Sequence, residues 1–300
     1  MAEKMKIGFI GLGHMGCPMA GCILKAGYEL TVYDIRIETA QTLEAQGAVR
    51  AGSPREVAIR SEVVLTSLPG PEEVKTVVLG EDGVFAGLNE GGGYIDTSTN
   101  APATMRKISE IGASRGFHVL DAPVSGGIFG AKDGTLSVFV GGRQEDYDQY
   151  LGLLRTFGDT VVRMGPAGSG NVTKLVNNTI MFINFLGACE GMAMGFKAGI
   201  DPQTLLSVIK PSMGQSIILE RVIGLWLQGR EMASTADLAV KDMQLGVALG
   251  HELGIPMELG PLVQSMIERF EDNGNRSKED MIAYVENAME RAGVEGVGAW

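Results

Sequence analysis

The fold is decided by residues 6–34, which read KIGFIGLGHMGCPMAGCILKAGYELTVYD. The segment begins with an apolar run, Lys6–Ile10, of the kind found in strands that are covered on both faces. A glycine-rich turn follows, and a helical pattern over Pro18–Ala26 then leads into a second apolar run, Glu29–Tyr33. A strand, a helix and a strand in this succession predict a βαβ unit, in which the two strands lie parallel in one sheet.

The turn between the first strand and the helix has the pattern of a dinucleotide fingerprint, Gly11-Leu12-Gly13-His14-Met15-Gly16. In such a fingerprint the first glycine makes the turn, the second lets the backbone approach a pyrophosphate, and the third lets the helix pack closely on the strand. The helix N-terminus offers unpaired N–H groups and the positive end of a dipole to the phosphates. We expect these six residues to line a dinucleotide, with His14 as an exposed bystander rather than a catalytic group.

The end of the second predicted strand indicates which dinucleotide binds. Asp34 stands 18 residues after Gly16, close to the offset of about 20 at which an acidic residue binds the adenosine ribose. A carboxylate there accepts hydrogen bonds from the 2′-hydroxyl and repels a 2′-phosphate, which favours NAD. Arg36 follows closely and could instead reach a 2′-phosphate. We therefore expect NAD as the cofactor and leave NADP as the alternative.

The rest of the chain divides into two halves with different patterns. Further strands are predicted at Val63–Ser67, Tyr94–Asp96, His118–Leu120, Leu136–Val140 and Thr160–Arg163. After Met164 a turn-rich stretch leads into a long helical pattern, Asn171–Ala198, and helical patterns alone follow it. These are predicted at Gln215–Gln228, Thr235–Leu253, Leu259–Phe270 and Lys278–Arg291, with Asp201 as the N-cap of an additional helix. We expect a Rossmann-type, mostly parallel α/β domain over residues 1–164 and an all-α domain over residues 165–300.

Composition excludes several classes of function. Lys and Arg number 25 against 36 Asp and Glu, and the resulting net charge of −11 disfavours nucleic acid and anionic membranes as partners. Three cysteines without a Cys-x-x-Cys pair fit a reducing cytoplasm, and neither they nor the three histidines show metal-ligand spacing. The N-terminus shows no signal peptide, and the most apolar stretch, Ile180–Phe196, is interrupted by Asn184 and Glu190. We expect a soluble cytoplasmic protein without a bound metal.

A stripe of glycines stands out in the long predicted helix, at Gly187, Gly191, Gly195 and Gly199. Their four-residue spacing leaves one helix face bare, so that another helix can approach closely. The stripe fits a contact between subunits or domains, and it fits tight packing within the domain equally well.

Four separated motifs resemble, in order, those of the β-hydroxyacid dehydrogenase family, which includes 3-hydroxyisobutyrate dehydrogenase, tartronate semialdehyde reductase and 2-(hydroxymethyl)glutarate dehydrogenase. They are Gly11–Gly16, the segment DAPVSGG at Asp121–Gly127, the pattern GxGxxxKxxxN at Gly168–Asn178, and Lys241-Asp242. The resemblance spans nearly the whole chain. It implies an enzyme that transfers a hydride between NAD(P) and a small anionic β-hydroxyacid, such as 3-hydroxyisobutyrate, tartronate semialdehyde or 4-hydroxybutyrate. A homodimer or homotetramer is expected.

The resemblance implies that Lys174 is the general acid/base and that Asn178, with Asn177 beside it, holds the substrate. Gly170, Lys174 and Asn178 are four residues apart, so they share one face of the predicted helix. The chemistry suits a lysine, because the hydroxyl proton must leave as hydride leaves the carbinol carbon.

The remaining site residues follow predicted strands or lie on a later helix. Ser125-Gly126-Gly127 follows His118–Leu120 at its carboxyl end, where open α/β sheets bind ligands, and the resemblance implies that it holds the substrate carboxylate. Lys241 is implied to lie near the nicotinamide and the substrate, with an exposed ion pair to Asp242 as the alternative. Loops after two other strands are expected to line the cofactor through Leu68, Pro69 and Thr99, the last within Thr97-Ser98-Thr99.

Three alternatives remain against this interpretation. 6-Phosphogluconate dehydrogenase carries histidine at the position of Asn177 and needs a much longer C-terminal domain. Imine reductases share the architecture but usually lack a lysine at position 174. A non-catalytic dinucleotide-binding regulatory protein of the same fold would bind NAD without turnover, and such proteins typically lose that lysine. The sequence leaves open which β-hydroxyacid reacts and in which direction.

Overall fold

The computed structural model describes residues 4–272, 276 and 278–294. The chain divides into two compact units, Met1–Lys174 and Leu175–Trp300. Within the described ranges, the first unit holds a sheet with helices around it, and the second consists of helices joined by short loops.

The sheet of the first unit is mostly parallel. Its strands are β1 (Lys6–Ile10), β2 (Glu29–Tyr33), β3 (Val49–Arg50), β4 (Val63–Thr66), β5 (Gly93–Asp96), β6 (His118–Asp121), β7 (Val124–Ser125), β8 (Leu136–Gly141) and β9 (Gly158–Gly165). Their order is β3-β2-β1-β4-β5-β6-β8-β7, with β9 beside β8. Strands β1 to β6 pair in parallel, whereas β8 runs antiparallel to β6 and β7. The strand order reverses direction between β1 and β4, and open sheets of this kind bind ligands outside the carboxyl ends at such a point.

The helices follow the strands and then continue alone. They are α1 (Gly16–Lys25), α2 (Ile37–Glu44), α3 (Pro54–Ile59), α4 (Pro71–Leu79), α5 (Val84–Gly87), α6 (Pro102–Ser114), α7 (Gly127–Asp133), α8 (Gln144–Leu154), α9 (Ser169–Lys197), α10 (Pro202–Ile209), α11 (Ile217–Leu227), α12 (Ala236–Glu252), α13 (Leu259–Asp272) and α14 (Ile282–Arg291). The 29-residue α9 starts in the first unit and ends in the second. A mostly parallel Rossmann-type sheet followed by a helical region is thus confirmed.

The central strands are apolar nearly throughout because helices cover both faces of the sheet. Along a strand successive side chains point to opposite faces. Val63 and Leu65 of β4 accordingly join the apolar cluster on one face, while Val64 joins the cluster on the other. Burying both faces removes every position at which a polar side chain would reach water.

The predicted elements differ from the observed ones mainly at short strands and helix ends. The two-residue strands β3 and β7 were not expected, because two residues are too few to show a periodic pattern. The last helix begins at Ile282 rather than Lys278. The N-cap at Asp201 is confirmed, since its carboxylate accepts a hydrogen bond of 2.8 Å from the Thr204 N–H.

The glycine stripe of α9 does two different things within the second unit. A Cβ on Gly195 would lie 2.3 Å from Leu205 Cδ2, so this glycine packs against α10. Gly187, Gly191 and Gly199 have open space instead. Among the described residues, α9 alone is long and apolar enough to cross a membrane, and 44% of its most apolar window is buried inside the protein.

Candidate functional site

The glycine turn after β1 is built so that two of its glycines admit no side chain and the third leaves space. Gly11 has a φ of +88°, and a Cβ there would lie 2.2 Å from the Ser67 carbonyl oxygen. A Cβ on Gly16 would lie 1.9 Å from the Gly11 carbonyl oxygen. At Gly13 the nearest atom to a Cβ is Arg36 Nη2, at 3.8 Å. The outer glycines therefore fix the turn, and the middle one presents bare backbone to a ligand, as a pyrophosphate requires.

Asp34 holds this turn from the end of β2. Its Oδ2 accepts a hydrogen bond of 2.7 Å from the Leu12 N–H, and its Oδ1 accepts one of 2.8 Å from the Arg36 N–H. The Arg36 side chain returns to the same carboxylate, with Nε 3.5 Å from Oδ1. Only 7% of the Asp34 side chain is exposed, against 58% for Arg36. Asp34 thus shapes the phosphate loop as well as standing where the ribose is expected, a role that its position in the sequence does not reveal.

The loops after β4 and β5 lie at the same edge of the sheet and are tied together. The Leu68 N–H donates to Ser98 Oγ at 2.9 Å, and the Thr97 N–H donates to the Thr66 carbonyl at 2.9 Å. Leu68 and Thr99 are half-buried and Pro69 is exposed, so all three have surface available at this edge. The structure therefore brings these predicted cofactor-lining residues to the carboxyl end of β4 and β5, beside the turn after β1.

The segment Ser125-Gly126-Gly127 stands beyond that edge. Strand β7 keeps the register with β8 that β6 begins, since Asp121 pairs with Gly141 and Ser125 pairs with Ser137. β7 therefore continues β6 past the carboxyl end of the parallel strands. Four residues of extended chain carry Ser125 about 13 Å beyond Asp121. Ser125 and Gly126 are half-buried and Gly127 is exposed, so all three residues have surface available above the sheet.

Two fully buried carboxylates end β5 and β6, and sequence reasoning assigned neither a role of its own. Asp96 Oδ1 accepts hydrogen bonds from Thr66 Oγ1 at 2.9 Å and from the Ser98 N–H at 3.1 Å, and Oδ2 accepts one from Asn100 Nδ2 at 3.1 Å. Burial raises the pKa of the Asp96 carboxyl, and burial likewise raises that of Asp121. An acid at the last position of a strand that is otherwise apolar was the available signal.

Lys174 is half-buried in the second turn of α9 and is the last residue of the first unit. One helical turn later, and already in the second unit, Asn178 is buried with 3% of its surface exposed. The spacing of four residues in one unbroken helix puts both on the same helix face, as the sequence predicted.

Within the second unit, Asn178 belongs to a chain of polar contacts. Asn177 Nδ2 donates to Asn178 Oδ1 at 3.0 Å, and Asn178 Nδ2 donates to Asp242 Oδ2 at 2.6 Å. The other oxygen of Asp242 lies 2.8 Å from Lys241 Nζ, in an ion pair whose side chains are 15% and 24% exposed. The Lys241-Asp242 pair is therefore partly buried rather than exposed. Asp242 orients the amide of Asn178, which the sequence did not indicate.

Among the described residues, no group of three or more His, Cys, Asp or Glu side chains is arranged to hold a metal ion. The residues that the first unit does bring together fit a dinucleotide: a bare glycine at the turn, a helix N-terminus behind it, and an acidic residue at the end of β2.

Two family models match the chain, and together they cover most of it. Residues 6–165 match the NAD binding domain of 6-phosphogluconate dehydrogenase. Residues 168–287 match the NAD-binding domain of NADP-dependent 3-hydroxyisobutyrate dehydrogenase.

Named relatives point the same way. The chain is 32% identical over 300 residues to 2-(hydroxymethyl)glutarate dehydrogenase of Eubacterium barkeri, covering 99% of each chain. It is 41% identical over 208 residues to 3-hydroxyisobutyrate dehydrogenase of Pseudomonas aeruginosa, covering 69% of this chain and 70% of the relative. Among solved structures, 3-hydroxyisobutyrate dehydrogenase of Mycobacterium tuberculosis with L-serine superposes with a TM-score of 0.84 at 25% identity, covering 94% of this chain and 98% of that one.

Replacing Asp34 with Asn tests the choice of cofactor. The amide keeps an acceptor for the Leu12 N–H but loses the charge that repels a 2′-phosphate. The ratio of the dissociation constants for NADPH and NADH, measured by fluorescence titration, is expected to fall by about tenfold, or about 1.4 kcal/mol. Arg36→Gln is the matched control and should weaken NADPH binding alone. An unchanged ratio in D34N would remove Asp34 from cofactor selection.

Replacing Asp96 with Asn tests the buried carboxylate through the pH dependence of stability. Because burial raises the pKa of Asp96, the folded protein binds its proton more tightly than the unfolded chain. The free energy of unfolding therefore falls as pH rises from about 4 through the raised pKa. Asn does not ionise, so the free energy of unfolding of D96N, measured by urea denaturation, is expected to fall less than that of the natural protein as pH rises through this range. Parallel curves for the two proteins would contradict the assignment.

Proposed function

This chain belongs to the β-hydroxyacid dehydrogenase family, and from that membership we propose its substrate and its reacting residues. It is an NAD(P)-dependent oxidoreductase that acts on a small hydroxyacid. Within that class, we assign it a β-hydroxyacid of the size of 3-hydroxyisobutyrate, with NAD preferred over NADP. The 41% identical 3-hydroxyisobutyrate dehydrogenase and the model matched by residues 168–287 support the substrate. The carboxylate of Asp34 after β2 supports the preference for NAD, because it repels a 2′-phosphate.

The observation that carries the proposal is the start of α9 at the carboxyl edge of the sheet. The Asn100 N–H, just after β5, donates to Asn171 Oδ1 at 2.7 Å, so the first turn of α9 touches that edge. Lys174 follows Asn171 within one helical turn. The glycine turn Gly11–Gly16 follows β1 at the same edge, and the segment Ser125–Gly127 stands just beyond it. The groups to which we assign cofactor binding, carboxylate binding and proton transfer therefore lie in one unit.

In the proposed mechanism each residue has one task. When bound at the glycine turn, NAD supplies the nicotinamide carbon that accepts the hydride. Ser125 Oγ and the N–H groups of Gly126 and Gly127 bind the substrate carboxylate. The Lys174 amine takes the hydroxyl proton while the carbinol carbon loses its hydride, and in reverse the ammonium returns that proton.

Three side chains beyond Lys174 complete the proposed site. The Asn178 amide, with Asn177 beside it, binds the substrate. Lys241 adds a positive charge for the bound anion and the cofactor.

Replacing Lys174 with Ala tests the proton transfer. Turnover is screened with 3-hydroxyisobutyrate, L-serine, glycerate, 3-hydroxypropionate, 4-hydroxybutyrate and 2-(hydroxymethyl)glutarate, each with NAD and NADP. In K174A, kcat on the best substrate is expected to fall by about 100- to 10,000-fold. The dissociation constant for NADH should stay nearly the same, because the lysine acts on the substrate.

Lys197→Ala, at the other end of α9, is the matched control and should keep its rate. Near-natural turnover in K174A would refute the role of Lys174. Absence of turnover in the natural protein with every substrate of the panel would refute the proposed substrate.

We also propose a cytoplasmic homodimer or homotetramer. The three cysteines are free thiols, which fits a reducing compartment. Gly187 and Gly191 of α9 leave open space, and Met194 beside them is 72% exposed, which supports a contact with a second copy. Light scattering coupled to size-exclusion chromatography measures the oligomeric state directly. A monomer at every concentration would contradict the proposed dimer or tetramer.

A further inference from the structure

The residue before helix α9 has no side chain that could cap the helix. The position before Ser169 is Gly168, which has a φ of +90° and where a Cβ would lie 3.0 Å from the Pro102 carbonyl oxygen. A helix usually begins at a residue whose side chain accepts a hydrogen bond from an N–H of the first turn. Gly168 has no side chain to do so, and the local backbone disfavours any other residue there.

The missing acceptor comes from the end of β6. Asp121 Oδ1 accepts a hydrogen bond of 2.7 Å from the Gly168 N–H, and Oδ2 accepts one of 2.9 Å from the Asn171 N–H. The carboxylate is fully buried. Both of its oxygens are therefore committed to the start of a helix that lies far along the chain.

Two further contacts fix the same turn. Asn171 Oδ1 accepts the Asn100 N–H from the loop after β5. A Cβ on Gly170 would lie 2.2 Å from the Phe139 carbonyl oxygen of β8, so the helix backbone rests directly on the sheet. We call Asn100, Asp121, Gly170 and Asn171 the α9 clamp. It ties the first helical turn to the ends of two strands and to the middle of a third.

We propose that Asp121 is a positioning residue for the hydride-transfer reaction, acting through the first turn of α9 on Lys174. This rests on the role of Lys174 proposed above. Asn171, which Asp121 holds, precedes Lys174 by three residues, so the place of the lysine follows from the place of the clamp. Asp121 also precedes Ser125 by four residues on the continuous β6–β7 path. One carboxylate thus sets the distance between the proton acceptor and the segment that holds the substrate carboxylate.

The carboxylate is the group that fits this task. Two N–H groups point at two different oxygens, so both positions must accept. An asparagine amide offers one acceptor and one donor, and the donor would face an N–H. Displacing a reacting group by about 1 Å can cost about 100-fold in rate, so a small shift of the first turn would be visible in kinetics.

Replacing Asp121 with Asn tests the proposal in the full-length protein with NAD and the best substrate of the panel. We expect kcat to fall by about 10- to 100-fold, with NADH affinity nearly unchanged. The apparent pKa in the pH profile of kcat/KM should shift, because the surroundings of Lys174 change. Hydrogen exchange of a peptide covering residues 166–176 should become faster, since two of its N–H groups lose a carboxylate.

Asp146→Asn is the matched control. Asp146 is also buried, with 1% of its side chain exposed, but it bonds to His118 at the opposite end of β6 and to Arg143. It should lower stability by a comparable amount without moving the pH profile. Equal kinetic losses in D121N and D146N would show a merely structural role for Asp121 and overturn the proposal.

Gly170→Ala displaces the same turn while Asp121 keeps its carboxylate. The added Cβ would lie 2.2 Å from the Phe139 carbonyl oxygen and 2.9 Å from Asp121 Oδ2, so the helix start must move and the kinetic signature of D121N is expected again. If D121N does not fold, kcat and the pH profile of G170A test the positioning role instead. If K174A keeps its rate, the role of Lys174 fails; if K174A loses its rate while D121N and G170A match D146N, the positioning role alone fails.

Discussion

The carboxyl edge of the first unit depends on close contacts between glycine backbone and the carbonyl oxygens of neighbouring segments. Cβ atoms on Gly11, Gly16 and Gly170 would lie between 1.9 and 2.2 Å from carbonyl oxygens, closer than real Cβ atoms come. The first two contacts fix the turn after β1, and the third seats the start of α9 on β8. A side chain at any of these positions would separate the elements that the site needs close together. The remaining side chains of the edge work within the arrangement that these contacts set.

Acidic residues at strand ends are the polar counterpart of these contacts. Asp34, Asp96 and Asp121 end or follow β2, β5 and β6, and each accepts at least one backbone N–H from a loop or helix start. Burying a carboxylate costs free energy, and charge-assisted hydrogen bonds of about 1.5–3 kcal/mol each offset that cost. The raised pKa values of Asp96 and Asp121 show that burial outweighs the bonds there. Ionisation of either carboxyl therefore lowers the free energy of unfolding, while its hydrogen bonds fix the neighbouring loop or helix start.

The sequence predicted the parts of this site whose pattern is local. Strands β1 and β2 were predicted at their observed ends, because each is a short run rich in apolar and β-branched residues with a turn signal close by, Gly11 after β1 and Gly27 before β2. The space at Gly13 follows from the fingerprint in the same way. The hydrogen bonds of Asp121 and Asp242 were not predicted, although both residues stand in recognisable sequence motifs. Their partners are distant in sequence: Gly168 and Asn171 for Asp121, and Asn178 for Asp242. A sequence pattern indicates the spacing of residues along the chain, and a hydrogen bond between distant elements produces no such pattern.

The carboxylates of Asp121 and Asp242 both bond to residues of α9, each within its own unit. Asp121 holds the first turn of α9 within the first unit, and Asp242 holds the Asn178 amide within the second. Between them lies Lys174, separated from Asn178 by four residues and about 6 Å of helix rise. On the proposed mechanism, Asp121 sets the position of the proton acceptor within the first unit, and Asp242 sets the orientation of the Asn178 amide within the second.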